Sequence, residues 1–154
     1  INDYFIIQQY RYGGTITLTS SVDDDALLSC RILKFTLQPL VENAIFHGIE
    51  PKGTAGNITI HIYRNESADI RIDVTDDGVG MEPELTARLL DMEAPASSSF
   101  FKEIGVSNVH KRLQYEFGNQ YGLSIQSEKG KFTTISILLP FREEDTNDKT
   151  DYRR

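Results

Sequence analysis

Isoleucine and valine alternate with polar residues along two stretches of the chain. Ile58, Ile60 and Ile62 alternate with Thr59, His61 and Tyr63, and Ile70, Ile72 and Val74 with Arg71, Asp73 and Thr75. A period of two describes a strand with one buried face. Residues 15–19, 123–127 and 134–139 follow the same rule, so the pattern predicts five strands. Between them the apolar period changes. Leu37, Leu40, Val41, Ala44 and Ile45 recur at helical spacing, as do Val106, Val109 and Leu113, and Pro83 introduces a shorter helix over 84–90. Pro39 is admissible only near the start of its helix, with Thr36 as the expected N-cap. Strands with one apolar face need helices to cover it. The predicted fold class is therefore α/β (α+β), a two-layer sandwich whose mixed, largely antiparallel sheet of about five strands is covered on one face by about three helices.

Composition narrows the function classes. A chain of 154 residues suits one compact domain. Its formal net charge of −7 argues against a broad nucleic-acid surface, which needs clustered Lys and Arg. Lone Cys30 excludes an internal disulfide and fits a reducing compartment. There is no apolar run long enough to span a bilayer and no signal peptide. The chain starts at Ile1, so a piece of a longer protein is expected. Residues 1–12 read as the end of an upstream helix, 13–141 as the folded domain and 142–154 as a charged tail with too little apolar area to order.

Three stretches carry candidate chemistry. In Leu37-Gln38-Pro39-Leu40-Val41-Glu42-Asn43-Ala44, helical spacing puts Asn43 and His47 on one face with Glu42 beside them. A carboxamide oxygen on such a ridge suits magnesium, which takes few oxygen ligands from protein; the alternative is a merely solvated polar face. In Asp76-Asp77-Gly78-Val79-Gly80-Met81, a carboxylate ends an apolar strand, and Gly78 and Gly80 let the backbone turn and approach a ligand. A carboxylate only accepts, so it suits the adenine amine and rejects the guanine carbonyl; the alternative is an ordinary Asp-Gly turn. In Ile104-Gly105-Val106-Ser107-Asn108-Val109, a glycine-led helix start offers free amides to phosphate; the alternative is a simple helix start. The small residues of 93–99, within a segment of about 92–104, suit a closing lid. Neither a P-loop nor a Rossmann fingerprint is present.

Taken in order, these stretches resemble the N, G1 and G2 boxes of the histidine kinase, gyrase, HSP90 and MutL ATP-binding superfamily. The wording of the first, followed by His47-Gly48, and of the third, continuing His110-Lys111-Arg112-Leu113, is similar to the LytS/YesM-like branch of sensor histidine kinases. Gly130-Lys131-Phe132-Thr133 resembles the last glycine-threonine box. The resemblance implies the Bergerat fold with ATP and Mg2+ bound beneath a lid. It implies Asn43 as metal ligand, Asp76 on the adenine amine, and Gly78, Gly80, Met81, His47, Gly105, Val106 and Thr133 around the nucleotide. Asn43 and Glu42 are the catalytic candidates. Members pass the γ-phosphate to a histidine on a separate dimerisation domain and then to a response regulator, commonly from a membrane-anchored homodimer with this domain in the cytoplasm.

Departures are visible as well. Pro39 stands where related ATPases carry a catalytic glutamate, Phe46 where many kinases carry lysine, and Glu103 and Phe132 where glycine is more usual. Lys102, Lys111 and Arg112 are the candidate replacements for the missing lysine. His47, His61 and His110 all lie outside acceptor-like helix segments, which places the phosphoacceptor upstream. The alternatives are a nucleotide-incompetent interaction module and an ATPase or protein kinase of the same superfamily.

Overall fold

The computed structural model describes residues 14–30, 32–89 and 104–141. The expected upstream helix end, the lid as far as residue 103 and the charged tail lie outside the described residues, as do Lys102 and Glu103. Five strands form one sheet in the order β1-β2-β3-β5-β4. They are β1 Ile16–Val22, β2 Gly56–Arg64, β3 Ile70–Asp76, β4 Gly122–Glu128 and β5 Phe132–Leu139. β1 and β2 run parallel and the other neighbours antiparallel. A parallel pair needs a crossover connection, and helix α1 supplies it. It starts as α-helix over Gln38–Asn43, continues as π-helix over Ala44–Ile49 and ends in a 3-10 turn over Glu50–Lys52. Helix α2 spans Pro83–Leu89 and α3 Ile104–Phe117. A 3-10 helix over Asp25–Ser29, which no apolar period announced, follows β1.

Burial follows the alternation. Ile58, Ile60, Ile72, Val74, Ile135 and Ile137 share one core with Leu40, Val41 and Ile45 of α1 and Val109 and Leu113 of α3. The opposite face of the sheet is polar and bonds to itself. Arg71 Nε donates to Asp73 at 3.0 Å, the Tyr63 hydroxyl donates to the same carboxylate at 3.0 Å, and the Thr75 and Thr134 hydroxyls pair at 2.8 Å. Burial pushes the Asp73 carboxyl up, but bonds from Ser136, Arg71 and Tyr63 outweigh it and hold the group below the usual carboxylate range. The architecture is the expected two-layer sandwich.

Two local expectations are corrected. Thr36 does not cap α1: the N-cap position is Leu37, and the Thr36 hydroxyl donates to the Leu33 carbonyl at 2.7 Å. Pro39 does sit in the first turn, where its missing N–H costs nothing. The second correction is the π-helical stretch, where the Glu50 amide bonds to the carbonyl of Ile45, five residues back. This wider winding removes the simple four-residue relation between Asn43 and His47.

Candidate functional site

Asp76 is the last residue of β3 and turns inward, with only 2% of its surface exposed. Its Oδ1 accepts the Gly78 N–H at 3.0 Å. The carboxylate lies flat on the π-helical stretch of α1, because a Cβ on Gly48 would stand 2.6 Å from Asp76 Cγ. Gly78 packs on the other side of the same residue: a Cβ there would overlap the Gly48 carbonyl. That carbonyl accepts the Val79 N–H at 2.9 Å. Two glycines thus let the helix touch the strand end backbone to backbone. The third glycine does the same for another contact. Gly80, at φ +60°, would bring a Cβ 2.7 Å from the Glu128 carbonyl carbon, and Val79 accepts the Gly130 N–H at 2.6 Å. The sequence reading gave Gly78 and Gly80 to ligand approach. Their missing side chains instead make room for this protein's own backbone.

The two adjacent carboxylates have separate jobs. Asp77 faces the start of β2, where it accepts the Asn57 backbone N–H at 2.9 Å and side-chain amide at 3.0 Å and pairs with Lys52 at 3.2 Å. Burial raises Asp77, but the Asn57 amides and Lys52 outweigh it and hold the group below the usual range. Burial pushes Asp76 up to about 6; the Gly78 bond and Lys52 oppose the rise, and the Asp77 charge adds to it. A carboxyl-carbon NMR titration of the ligand-free domain is expected to give Asp76 a midpoint near 6, above its ordinary value of 3.8. A midpoint at the ordinary value would contradict the buried placement.

Asn43 closes the α-helical part of α1 and is 8% exposed. Among the described residues none bonds its carboxamide. A buried amide without a partner is costly, so the group fits an oxygen ligand held ready for a cation. It lies about one turn before Gly48 along α1. Pro39 is one turn earlier than Asn43, and Gly105 packs on it: a Cβ on Gly105 would stand 3.3 Å from Pro39 Cβ. The amino end of α3 therefore rests on the first turn of α1, on the Asn43 side. Glu42 is half-buried, and its Oε1 accepts the Gln38 Nε2–H at 2.9 Å.

The remaining predicted residues divide. Thr133 is buried and directly opposite Asp76 in the β3–β5 register. Its hydroxyl donates to Ser127 Oγ at 2.9 Å, which also accepts the Met81 N–H at 2.8 Å and donates to the Phe132 carbonyl at 2.8 Å. His47 is half-buried beside Gly48. Val106, expected at the nucleotide, is 1% exposed and packs in the core, so its side chain is structural. Arg112 donates to the Lys34 carbonyl at 2.8 Å rather than standing in for the missing lysine. His61 stacks on Tyr63 at 4.6 Å and meets Asp23 at 2.7 Å on the polar face. His110 Nδ1 accepts the Leu123 N–H at 2.9 Å, and burial pushes its pKa down, so a neutral ring ties α3 to β4.

Gly48 and Ser127 were not singled out from the sequence as site residues. Gly48 had a usable signal, since glycine inside an apolar helix costs about 1 kcal/mol and points to close approach. Ser127 had none.

Residues 29–143 match the family described as histidine kinase-, DNA gyrase B- and HSP90-like ATPase. The chain belongs to this ATPase family. Its relatives in the family include the sensor histidine kinase YpdA of Escherichia coli strain K12, 36% identical over 91% of this chain and 23% of that protein. YesM of Bacillus subtilis strain 168, also a sensor histidine kinase, is 35% identical over 94% of this chain and 23% of its own length. With LytS sensor proteins also matching, the place within the family is the LytS/YesM-like branch. The chain thus spans about a quarter of the length of these relatives. Among solved structures, the catalytic domain of histidine kinase ThkA superposes with a TM-score of 0.62 at 17% identity, covering 89% of this chain and 87% of that one. Full-length ShkA in complex with AMPPNP gives 0.64 at 18% identity, over 90% of this chain and 28% of that one. At such identities the likeness is one of fold, and it agrees with the five-stranded sheet. No described helix is long and apolar enough to cross a membrane.

Proposed function

We propose that this chain is the catalytic domain of a sensor histidine kinase, which binds Mg-ATP and delivers the γ-phosphate to a histidine on a separate dimerisation domain, for relay to a response regulator. The observation that carries the reading is a pair of buried groups along one helix: the Asp76 carboxylate of β3 seated against Gly48, and the Asn43 amide, bonded by none of the described residues, about one turn before it. With Oδ1 committed to Gly78, the other carboxylate oxygen accepts the exocyclic amine of adenine. Guanine would set a carbonyl oxygen there and be repelled. Thr133 and Met81, joined through Ser127, border the same strand ends.

Toward the phosphates, Asn43 would hold magnesium through its carboxamide oxygen, and the amides at the start of α3 around Gly105 would meet phosphate oxygen. Bound magnesium would neutralise charge as the phosphoryl group moves. Glu42, whose carboxylate accepts from Gln38, would orient water beside the metal or polarise the incoming imidazole. Pro39 leaves the position one turn before Asn43 without a base for water, which favours transfer to protein over hydrolysis. A ThkA structure is of a complex with the response regulator TrrA; it superposes here with a TM-score of 0.63 at 20% identity, over 92% of this chain and 39% of that one, and supports a regulator as downstream partner. By the same family likeness the parent protein is a membrane-anchored homodimer with this domain in the cytoplasm.

Calorimetric titration with a non-hydrolysable ATP analogue, with and without magnesium, tests the site. Asn43→Ala is expected to erase the magnesium-dependent gain, about tenfold or more, and to leave metal-free affinity almost unchanged. Unaltered magnesium dependence would move the metal elsewhere. No binding by the unsubstituted domain would favour the interaction-module alternative.

A further inference from the structure

Asp76, Thr133 and Ser127 stand in one row across three neighbouring strands. Thr133 of β5 is directly opposite Asp76 of β3, and Ser127 of β4 is directly opposite Thr133. Opposed residues point to the same face of a sheet, so all three side chains lie on the helix-covered face. The other rows on that face are apolar: Val74 opposes Ile135, and Ile72 opposes Ile137. A polar row at the end of a dry face is costly unless its groups find partners.

The hydrogen bonds along this row have a fixed direction. A hydroxyl carries one proton and two lone pairs. The Met81 N–H can only donate and the Phe132 carbonyl can only accept, so Ser127 Oγ accepts from Met81 at 2.8 Å and donates to Phe132 at 2.8 Å. In its remaining bond, with Thr133 at 2.9 Å, Ser127 has only a lone pair to offer, and Thr133 must donate. Ser127 is then saturated, and Thr133 has committed its single proton. The Gly130–Val79 bond pins the turn before Met81 to the β4–β5 turn, so the Met81 N–H cannot swing away. Thr133 therefore keeps only lone pairs, buried directly opposite the buried Asp76 carboxylate, which also only accepts. Two neighbouring acceptors call for a ligand group with two protons to give. We propose, as a step that rests on the nucleotide-binding reading, that Ser127 is a positioning residue for base recognition: by claiming the Thr133 proton it makes Thr133 a second acceptor beside Asp76, and the pair selects a base with an exocyclic amine over one with a carbonyl.

The test is calorimetric titration of the chain with non-hydrolysable analogues of ATP and of ITP, whose base carries a carbonyl in place of the amine. Working well above the Asp76 midpoint of about 6 keeps that carboxylate ionised. The readout is the ratio of the two affinities, which favours ATP in the unsubstituted chain. Ser127→Ala leaves the Thr133 proton unclaimed and free to turn toward a carbonyl, so the ratio falls about tenfold. Ser127→Cys, close in size to serine but a weak acceptor, shows the same fall if the alanine variant does not fold. Ser127→Thr keeps the hydroxyl and with it the ratio. Thr133→Val removes the second acceptor and narrows the ratio by itself, and adding Ser127→Ala to it changes the ratio no further. A merely structural role for Ser127 would lower both affinities together. An unchanged ratio in a folded Ser127→Ala or Ser127→Cys chain overturns the proposal and leaves the nucleotide reading standing. An unsubstituted chain that binds neither analogue overturns the nucleotide reading, and the role of Ser127 with it.

Discussion

Asp76→Asn is expected to abolish adenine-nucleotide binding and to stabilise the ligand-free domain. The two effects have one cause. At Asp76 a carboxylate is buried to 2% exposure and its pKa is pushed up to about 6. The unfolded chain has the ordinary value of 3.8, so the folded state binds the proton more tightly. For a carboxyl raised on folding, the sign is a penalty: it is absent below the unfolded value and fully present above the folded one. At pH 7 the shift corresponds to about 3 kcal/mol of lost stability. Asparagine keeps the oxygen that accepts from Gly78 and removes the charge, so urea or thermal unfolding at pH 7 should show a more stable variant. The gain should shrink as pH falls through 6 toward 4, where the native carboxyl also becomes neutral. Binding goes the other way. The asparagine amide would point a donor at the adenine amine, and a buried site that loses its hydrogen-bond complement typically rejects the ligand by about a hundredfold or more. Retained affinity, or a variant less stable than the parent at pH 7, would contradict the assignment of Asp76 as the adenine acceptor.

Much of the fold was legible because the sheet has one dry face and one wet one. Ile58, Ile60 and Ile62 read as a strand for the same reason that they bury: their neighbours Thr59, His61 and Tyr63 must stay with water. The placement of Asp76 at a strand end and of Asn43 on a helix was also legible, from the apolar periods that each residue interrupts. What could not be read are features set by hydrogen-bond register or by long-range contact. The π-helical winding over Ala44–Ile49 has no apolar period of its own, so nothing in the residue order separates it from an α-helix. Gly78 and Gly80 read from the sequence as glycines for ligand approach, and the groups that crowd them are the backbones of Gly48 and Glu128, far away in sequence. Val106 lies next to Gly105 in sequence, yet the helix turns its side chain into the core. Arg112 could be counted as a nearby cation only until its Lys34 partner was seen.

Gly78→Ala should be strongly damaging, and the contrast with Gly130→Ala explains why. At Gly78 the added methyl would overlap the carbonyl carbon, carbonyl oxygen and Cα of Gly48. All three are backbone, so no side chain can rotate away. Relief requires moving the π-helical stretch off the strand end, which breaks the Val79–Gly48 bond of 2.9 Å and lifts the floor beneath Asp76. Overpacking that nothing can absorb costs about 3 kcal/mol or more, a large part of a typical domain's stability of about 5–15 kcal/mol. Gly130 has the opposite character: φ is +78° with nothing within 4 Å of a Cβ, so alanine there bears only the left-handed penalty of about 1–2 kcal/mol. Equilibrium unfolding and analogue titration on the two variants should therefore separate. Gly130→Ala loses modest stability and still binds, whereas Gly78→Ala loses binding even under conditions where it remains folded, because the seat of the proposed adenine acceptor is displaced. Equal losses in the two variants would mean that backbone strain, rather than helix-to-strand contact, governs this corner of the fold.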